Sequence, residues 1–185
     1  MSTVLRWAAL TRDEVAAAAP SALVVVPTGT TAQHGPHLAT GTDAQIAEAV
    51  AERAAAAATA PETVLIAPTL AYGASHHHLP FGGTLSLGVT TFQAVLRDLL
   101  ASAAAAGCRR VFVLNGHGGN KAACAIAVAE ASRELELVAA TRPWSREASE
   151  TAIAHALALP PCAFRTKTRL QPAAAADASR SESTR

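Results

Sequence analysis

The sequence predicts an α/β fold, a layered α/β/α sandwich around a mainly parallel sheet, and three observations carry that prediction. Short β-branched runs recur along the chain, each followed by loop-forming residues. Segments of helical periodicity occupy the intervals between them. Strands separated in this way by helices pair in parallel through right-handed crossovers, which leaves helices on both faces of the sheet.

The first run, ALVVVP (Ala22–Pro27), reads as a buried strand. A helix follows at Thr42, which with Gln45 three residues on fits a capping box. TVLIAP (Thr63–Pro68) reads as the second strand, and Thr90 with Gln93 fits a second capping box. In the helix opened there, Phe92, Val95, Leu96, Leu99, Leu100 and Ala103 follow the i, i+3, i+4, i+7 spacing, and Gly107 stands where a C-terminal cap belongs. RVFVLN (Arg110–Asn115) is the third strand, a helix runs from Asn120 through Ile126 towards Arg133, and ELVAAT (Glu136–Thr141) is the fourth strand. Residues 1–159 are therefore read as one domain. From 160 to 185 the periodicity gives way to Ser, Arg, Pro and Ala, which reads as a mobile low-complexity tail.

The chain has 185 residues, half of them hydrophobic, which suits one domain with a real core. A net charge of +1 with 16% charged residues provides no basic field for nucleic acid, so the expected partner is a small molecule. No apolar run is long enough to cross a bilayer, and the opening MSTVLRWAALTRDEV lacks the order of a secretory signal; the expected location is the cytoplasm. Cys108, Cys124 and Cys162 are widely spaced and form no CxxC, so they are read as buried small apolar residues rather than a disulfide framework or zinc knot.

Six of the seven histidines fall in three post-strand segments: His34 and His37 after the first strand, His76, His77 and His78 after the second, and His117 after the third. A single loop histidine is most often just hydrogen-bonded to backbone. Three such loops meeting at one end of a parallel sheet shift that balance, because imidazole is the commonest metal ligand and ligands bind at the carboxyl ends of the strands. Asp43, in the first turn of a helix, can use both carboxylate oxygens, although complementing the helix dipole would by itself account for it. The glycines of NGHGGN let the backbone turn tightly while His117 projects into the crevice. A phosphate cradle is the alternative for that turn, but it lacks the Walker spacing and lysine. Of the three consecutive histidines at most two can face one site, and His78 is taken as the candidate catalytic group.

GTTAQHGPHLATGTD, GASHHHLPFGGTLSL and NGHGGN, in this order, resemble the creatininase (creatinine amidohydrolase) family over roughly Leu23 to Asn120. The resemblance implies a creatininase-like layered α/β fold, a homo-oligomer (a homohexamer), and one or two divalent ions, zinc or manganese. It also implies hydrolysis of C–N bonds in cyclic amides, formamides or related small substrates. Carried over, His34 resembles a ligand of one ion, Asp43 the bridging carboxylate and His117 a ligand of the other. In the intact pattern, paired cations lower the pKa of a shared water, which attacks a carbonyl, and a nearby acid protonates the leaving nitrogen.

Several positions depart from the pattern. Ala32 stands where the family has Glu before QHG, and Gly119 where creatininase itself has Glu two residues after the motif histidine. Aligned with the family's HAG-x-x-ETS stretch, SREASETA keeps Glu150, a candidate fourth ligand, but places Ser145 at the histidine. Trp144 is a candidate to stack on a flat substrate, with core packing the commoner role for such a residue. Three functions follow: a metal-dependent amidohydrolase with a weakened site, a silent relative retaining the fold and one ion, or a module that binds phosphate ligands through the Gly-rich turn.

Overall fold

The computed structural model describes residues 3–58, 63–135 and 137–143. It contains the predicted α/β architecture, with five parallel strands in the order β1-β3-β2-β4-β5. The strands are β1 (Thr3–Arg6), β2 (Leu23–Thr28), β3 (Thr63–Ile66), β4 (Arg110–Asn115) and β5 (Val138–Pro143), and the helices are α1 (Arg12–Ala18), α2 (Thr42–Ala57), α3 (Val89–Ala105) and α4 (Lys121–Glu134). The read tail, His155, Cys162, Trp144 and Glu150 lie outside the described residues.

Strand order explains the layers. The chain steps from β2 to β3 in one direction across the sheet and from β3 past β2 to β4 in the other. Right-handed crossovers then require the connecting helices to lie on opposite faces. On one face Val24, Val26, Leu65, Val111 and Val113 pack with Phe92, Leu96 and Leu100 of α3 and Ala123, Cys124, Ala127 and Ala131 of α4. On the other, Leu23, Val25, Val64, Ile66, Phe112 and Leu114 meet Ala51, Ala54 and Ala55 of α2. The alternation along each strand gives both faces a buried row, which is why the central strands read as continuous apolar runs.

The expected elements appear with corrections. A fifth strand, β1, pairs with β3 at the sheet edge, and neither it nor α1 was among the expected elements. The last strand begins at Val138 rather than Glu136. Neither expected capping box forms: Gly41 and Gly88 hold the N-cap positions, so Thr42 and Thr90 are already helical. Thr42 instead donates to the Ala39 carbonyl at 2.6 Å, and Gln93 reaches across to Glu130 of α4. The motif requires its threonine to be extended just before the first turn, a condition met by Thr11, which forms both reciprocal bonds with Glu14.

At the end of α3, Gly107 has φ +94°, its N–H bonds to Ala104 and the N–H of Cys108 to Ala103, the paired bonds of a Schellman cap. Phe92, Leu96, Leu100 and Ala103 are buried as the periodicity implies, while Leu99 faces solvent. Cys108 and Cys124 are free and buried. No helix among the described residues is long and apolar enough to cross a membrane.

Candidate metal centre

The direction of chain travel reverses at β2, so the segments leaving β2 and β4 diverge to opposite faces and open a crevice at the carboxyl end of the sheet. Glycines set how closely its walls approach. A Cβ on Gly29, just after β2, would collide with the Ala44 backbone at the start of α2. One on Gly116, just after β4, would lie 2.7 Å from the Asp43 carbonyl oxygen and 3.3 Å from that of Thr28. The first turn of α2 therefore rests directly on two strand ends, which delivers Asp43 into the crevice.

Asp43 receives a histidine on each carboxylate oxygen. His34 Nε2 lies 2.9 Å from Oδ1 and His117 Nδ1 lies 2.8 Å from Oδ2. His34 comes from the segment after β2 and His117 from the turn after β4, so Asp43 meets one histidine from its own segment and another 74 positions along the chain. His117 is buried, and the side chains of His34 and Asp43 are 25% and 15% exposed, which leaves the pair partly accessible.

Each ring has its far nitrogen engaged. His34 Nδ1 is 3.0 Å from the Ala32 carbonyl, which can only accept, so this nitrogen carries a proton and Nε2 is the atom left for Asp43 or a cation. The Ala32 carbonyl raises the pKa of His34, burial opposes the rise, and the Asp43 carboxylate adds to it. Burial pushes the Asp43 carboxyl up, but the hydrogen bonds from His117 and His34 outweigh it and hold the group below its ordinary value. His117 Nε2 faces Ser75 Oγ at 2.9 Å.

His78 lies beside this group, its ring centroid 6.0 Å from that of His117. Its proton can be placed. Gln33 Oε1 accepts from the Gly35 N–H at 2.9 Å, so the amide nitrogen faces His78 Nδ1 at 3.1 Å. Nδ1 is therefore the acceptor and Nε2 bears the hydrogen. Burial, then the charges of His77, His117 and His34, lower the His78 pKa, which keeps the ring neutral near pH 7.

Of the predicted site residues, the structure brings together His34, Asp43 and His117, with His78 alongside, while Glu150 and Trp144 lie outside the described residues. His37 and His76 are exposed, and His76 Nδ1 lies 2.9 Å from Ser86 Oγ. Among the described residues no three His, Cys, Asp or Glu side chains are grouped so as to hold a metal ion as they stand; His34 and His117 each address one oxygen of Asp43. A Cβ on Gly119 would collide with the Ala74 carbonyl, so that position has no space for a glutamate, and Ala32 is fully buried.

Sequence reasoning missed the scaffold behind these groups. Buried Asn120 accepts from the Ala74 N–H at 2.8 Å and donates to the Gly29 carbonyl at 2.9 Å, joining the segments after β2, β3 and β4. Asn115 accepts from the His117 N–H and donates to the His117 carbonyl. The asparagines that flank GHGG were the available signal, since a buried amide offers both a donor and an acceptor.

Comparison with known proteins agrees with the three loop motifs. The model of the creatininase family, described as creatinine amidohydrolase, matches residues 8–184. The chain belongs to the creatininase family. The mycofactocin precursor peptide peptidase of Mycolicibacterium smegmatis is 47% identical over 109 residues, 58% of this chain and 44% of that protein. The creatinine amidohydrolase of Pseudomonas putida is 31% identical over 129 residues, 66% of this chain and 47% of that protein. The chain thus spans about half the length of the curated relatives it matches. A manganese creatininase superposes with TM-score 0.68 at 26% identity, covering 76% of this chain and 58% of that one. A zinc–zinc form of a mutant creatininase gives 0.66 at 27% identity, covering 76% and 57%.

Proposed function

We propose that this chain is a divalent-metal-dependent hydrolase of C–N bonds, with a metal site weaker than the family pattern and a peptide amide as its favoured substrate. The observation that carries the reading is the buried Asp43 carboxylate with one histidine nitrogen on each oxygen. Two imidazoles and a carboxylate suit zinc or manganese, the metals of the creatininase neighbours. His34 Nε2, His117 Nδ1 and Asp43 would hold the ion. Bound there, it would act as a Lewis acid on the substrate carbonyl and make water nucleophilic at neutral pH.

The protein's own groups have defined tasks. The Ala32 carbonyl keeps the proton of His34 on Nδ1, so Nε2 remains available. Neutral His78, its Nδ1 held by the Gln33 amide, presents Nε2–H, which would donate a hydrogen bond to the departing group. Relatives named as peptide peptidases favour a peptide over a cyclic amide. With Ala32 in place of a carboxylate, one ion is held and a second binds loosely.

Elemental analysis combined with hydrolysis of creatinine, formamides and short peptides tests this reading. The expected result is about one retained zinc or manganese per chain and cleavage of peptides. Two tightly held ions would refute the weakened site. Neither metal nor hydrolysis would identify a silent relative, the reading that the absent Ala32 carboxylate also favours, and Ala32→Glu should then strengthen metal binding.

A further inference from the structure

His117 is clamped between two partners that make different demands on it. Asp43 Oδ2 only accepts, whereas Ser75 Oγ, 2.9 Å from Nε2, can donate or accept. Ser75 is wholly buried, and its hydroxyl has a second neighbour of the same kind, Thr30 Oγ1 at 2.9 Å, also wholly buried. In the metal-free protein the proton count is fixed by the carboxylate: Nδ1–H donates to Asp43, Nε2 accepts from Ser75, and Thr30 donates to Ser75.

A cation at Nδ1 reverses the run. The ring proton then sits on Nε2, which donates to Ser75 Oγ, and Ser75 donates to Thr30. Two hydroxyl hydrogens rotate, Nδ1 gives one proton to water and Nε2 takes one from water, and neither hydroxyl has to be replaced. A backbone carbonyl at Nε2 would always require a proton there, and a backbone N–H would always forbid one. Only a hydroxyl serves both states. His34 shows the contrast, since its far nitrogen faces the Ala32 carbonyl and has a single permitted tautomer.

We propose that Ser75, backed by Thr30, is a positioning residue that keeps the His117 ring in one place, with Nδ1 turned to Asp43, in both the metal-free and the metal-loaded protein. The loaded half rests on the metal-hydrolase reading; the metal-free half stands without it. The test uses the full chain, freed of metal, as wild type, Ser75→Ala and Thr30→Val. Two quantities are measured: the ¹⁵N shifts of the His117 ring at a pH where it is neutral, and zinc affinity by competition with a chromophoric chelator.

The wild type should show the Nδ1–H tautomer, with Nε2 shifted by hydrogen bonding. Ser75→Ala should lose that shift and bind zinc about 10- to 100-fold more weakly, the usual effect of removing a ligand's outer partner. Thr30→Val should move both quantities in the same direction and by less. An Nε2–H tautomer in the metal-free wild type, or a folded Ser75→Ala with unchanged shifts and affinity, overturns the proposal. If Ser75→Ala does not fold, Thr30→Val decides by the same two quantities. If the wild type binds no zinc, the metal-hydrolase reading fails and the ring shifts alone decide.

Discussion

Single residues at this site are defined by the protons they carry. Both nitrogens of His34 face acceptors, the Ala32 carbonyl and the Asp43 carboxylate, so without metal the ring is held as imidazolium. Its pKa is raised, chiefly by the Ala32 carbonyl. Its contribution to stability is therefore complete below the ordinary histidine value of 6.5 and is lost as pH rises through the higher folded value. Asp43 titrates below its ordinary 3.8, burial being outweighed by its two histidine partners, so its contribution is present above 3.8 and lost as pH falls through the folded value. In chelator-treated protein the part of the Tm that depends on His34 should thus fall as pH rises above 6.5. His34→Gln should flatten that loss, and an unaltered pH profile in the variant would contradict it. At this scale the grouping of His34 and His117 near Asp43 was legible, because histidines that recur in post-strand loops form a pattern of their own. Ser75, Asn115 and Asn120 were not, because what they do depends on the atoms they meet far along the chain, 91 residues away for Asn120 and Gly29.

Elements place those residues through close backbone contacts. The start of α2 lies against Gly29 and Gly116, and any side chain there collides with backbone rather than with a movable side chain. Gly29→Ala should cost at least the ~1–3 kcal/mol typical of overpacking, read by denaturant unfolding. It should also weaken zinc binding, because the displaced turn carries Asp43. A variant with wild-type stability and metal content would show that α2 does not depend on this contact. On the opposite face, the wholly buried Leu96 of α3 makes Leu96→Ala a test of the core, with an expected loss of about 2–5 kcal/mol. The long amphipathic α3 was legible from its spacing. β1 was not, since it has four residues, pairs on one side only and is nowhere fully buried. The helix starts were misplaced because glycines took the cap positions that the threonine–glutamine pairs suggested.

At the scale of the molecule, the α3/α4 face encloses Cys108 and Cys124, whose thiols burial pushes up to about 11. Almost no thiolate forms at neutral pH, so alkylation of either requires the layer to open. Peptide mapping after iodoacetamide treatment should find both unlabelled in native protein and labelled in denaturant; fast native labelling would mean that the helices separate without global unfolding. The same layering bears on function, since the crevice exists where β2 and β4 send their helices to opposite faces. The amino-acid sequence by itself determined the α/β class, the alternation of elements, the loops that hold the histidines and the family, because these follow from local periodicity and short motifs. Only the tertiary structure decided which histidines share Asp43, on which oxygen and through which ring nitrogen, and that two buried hydroxyls stand behind His117. Those facts depend on the order in which strands enter the sheet, which brings residues dozens of positions apart within hydrogen-bonding distance and which no local pattern encodes.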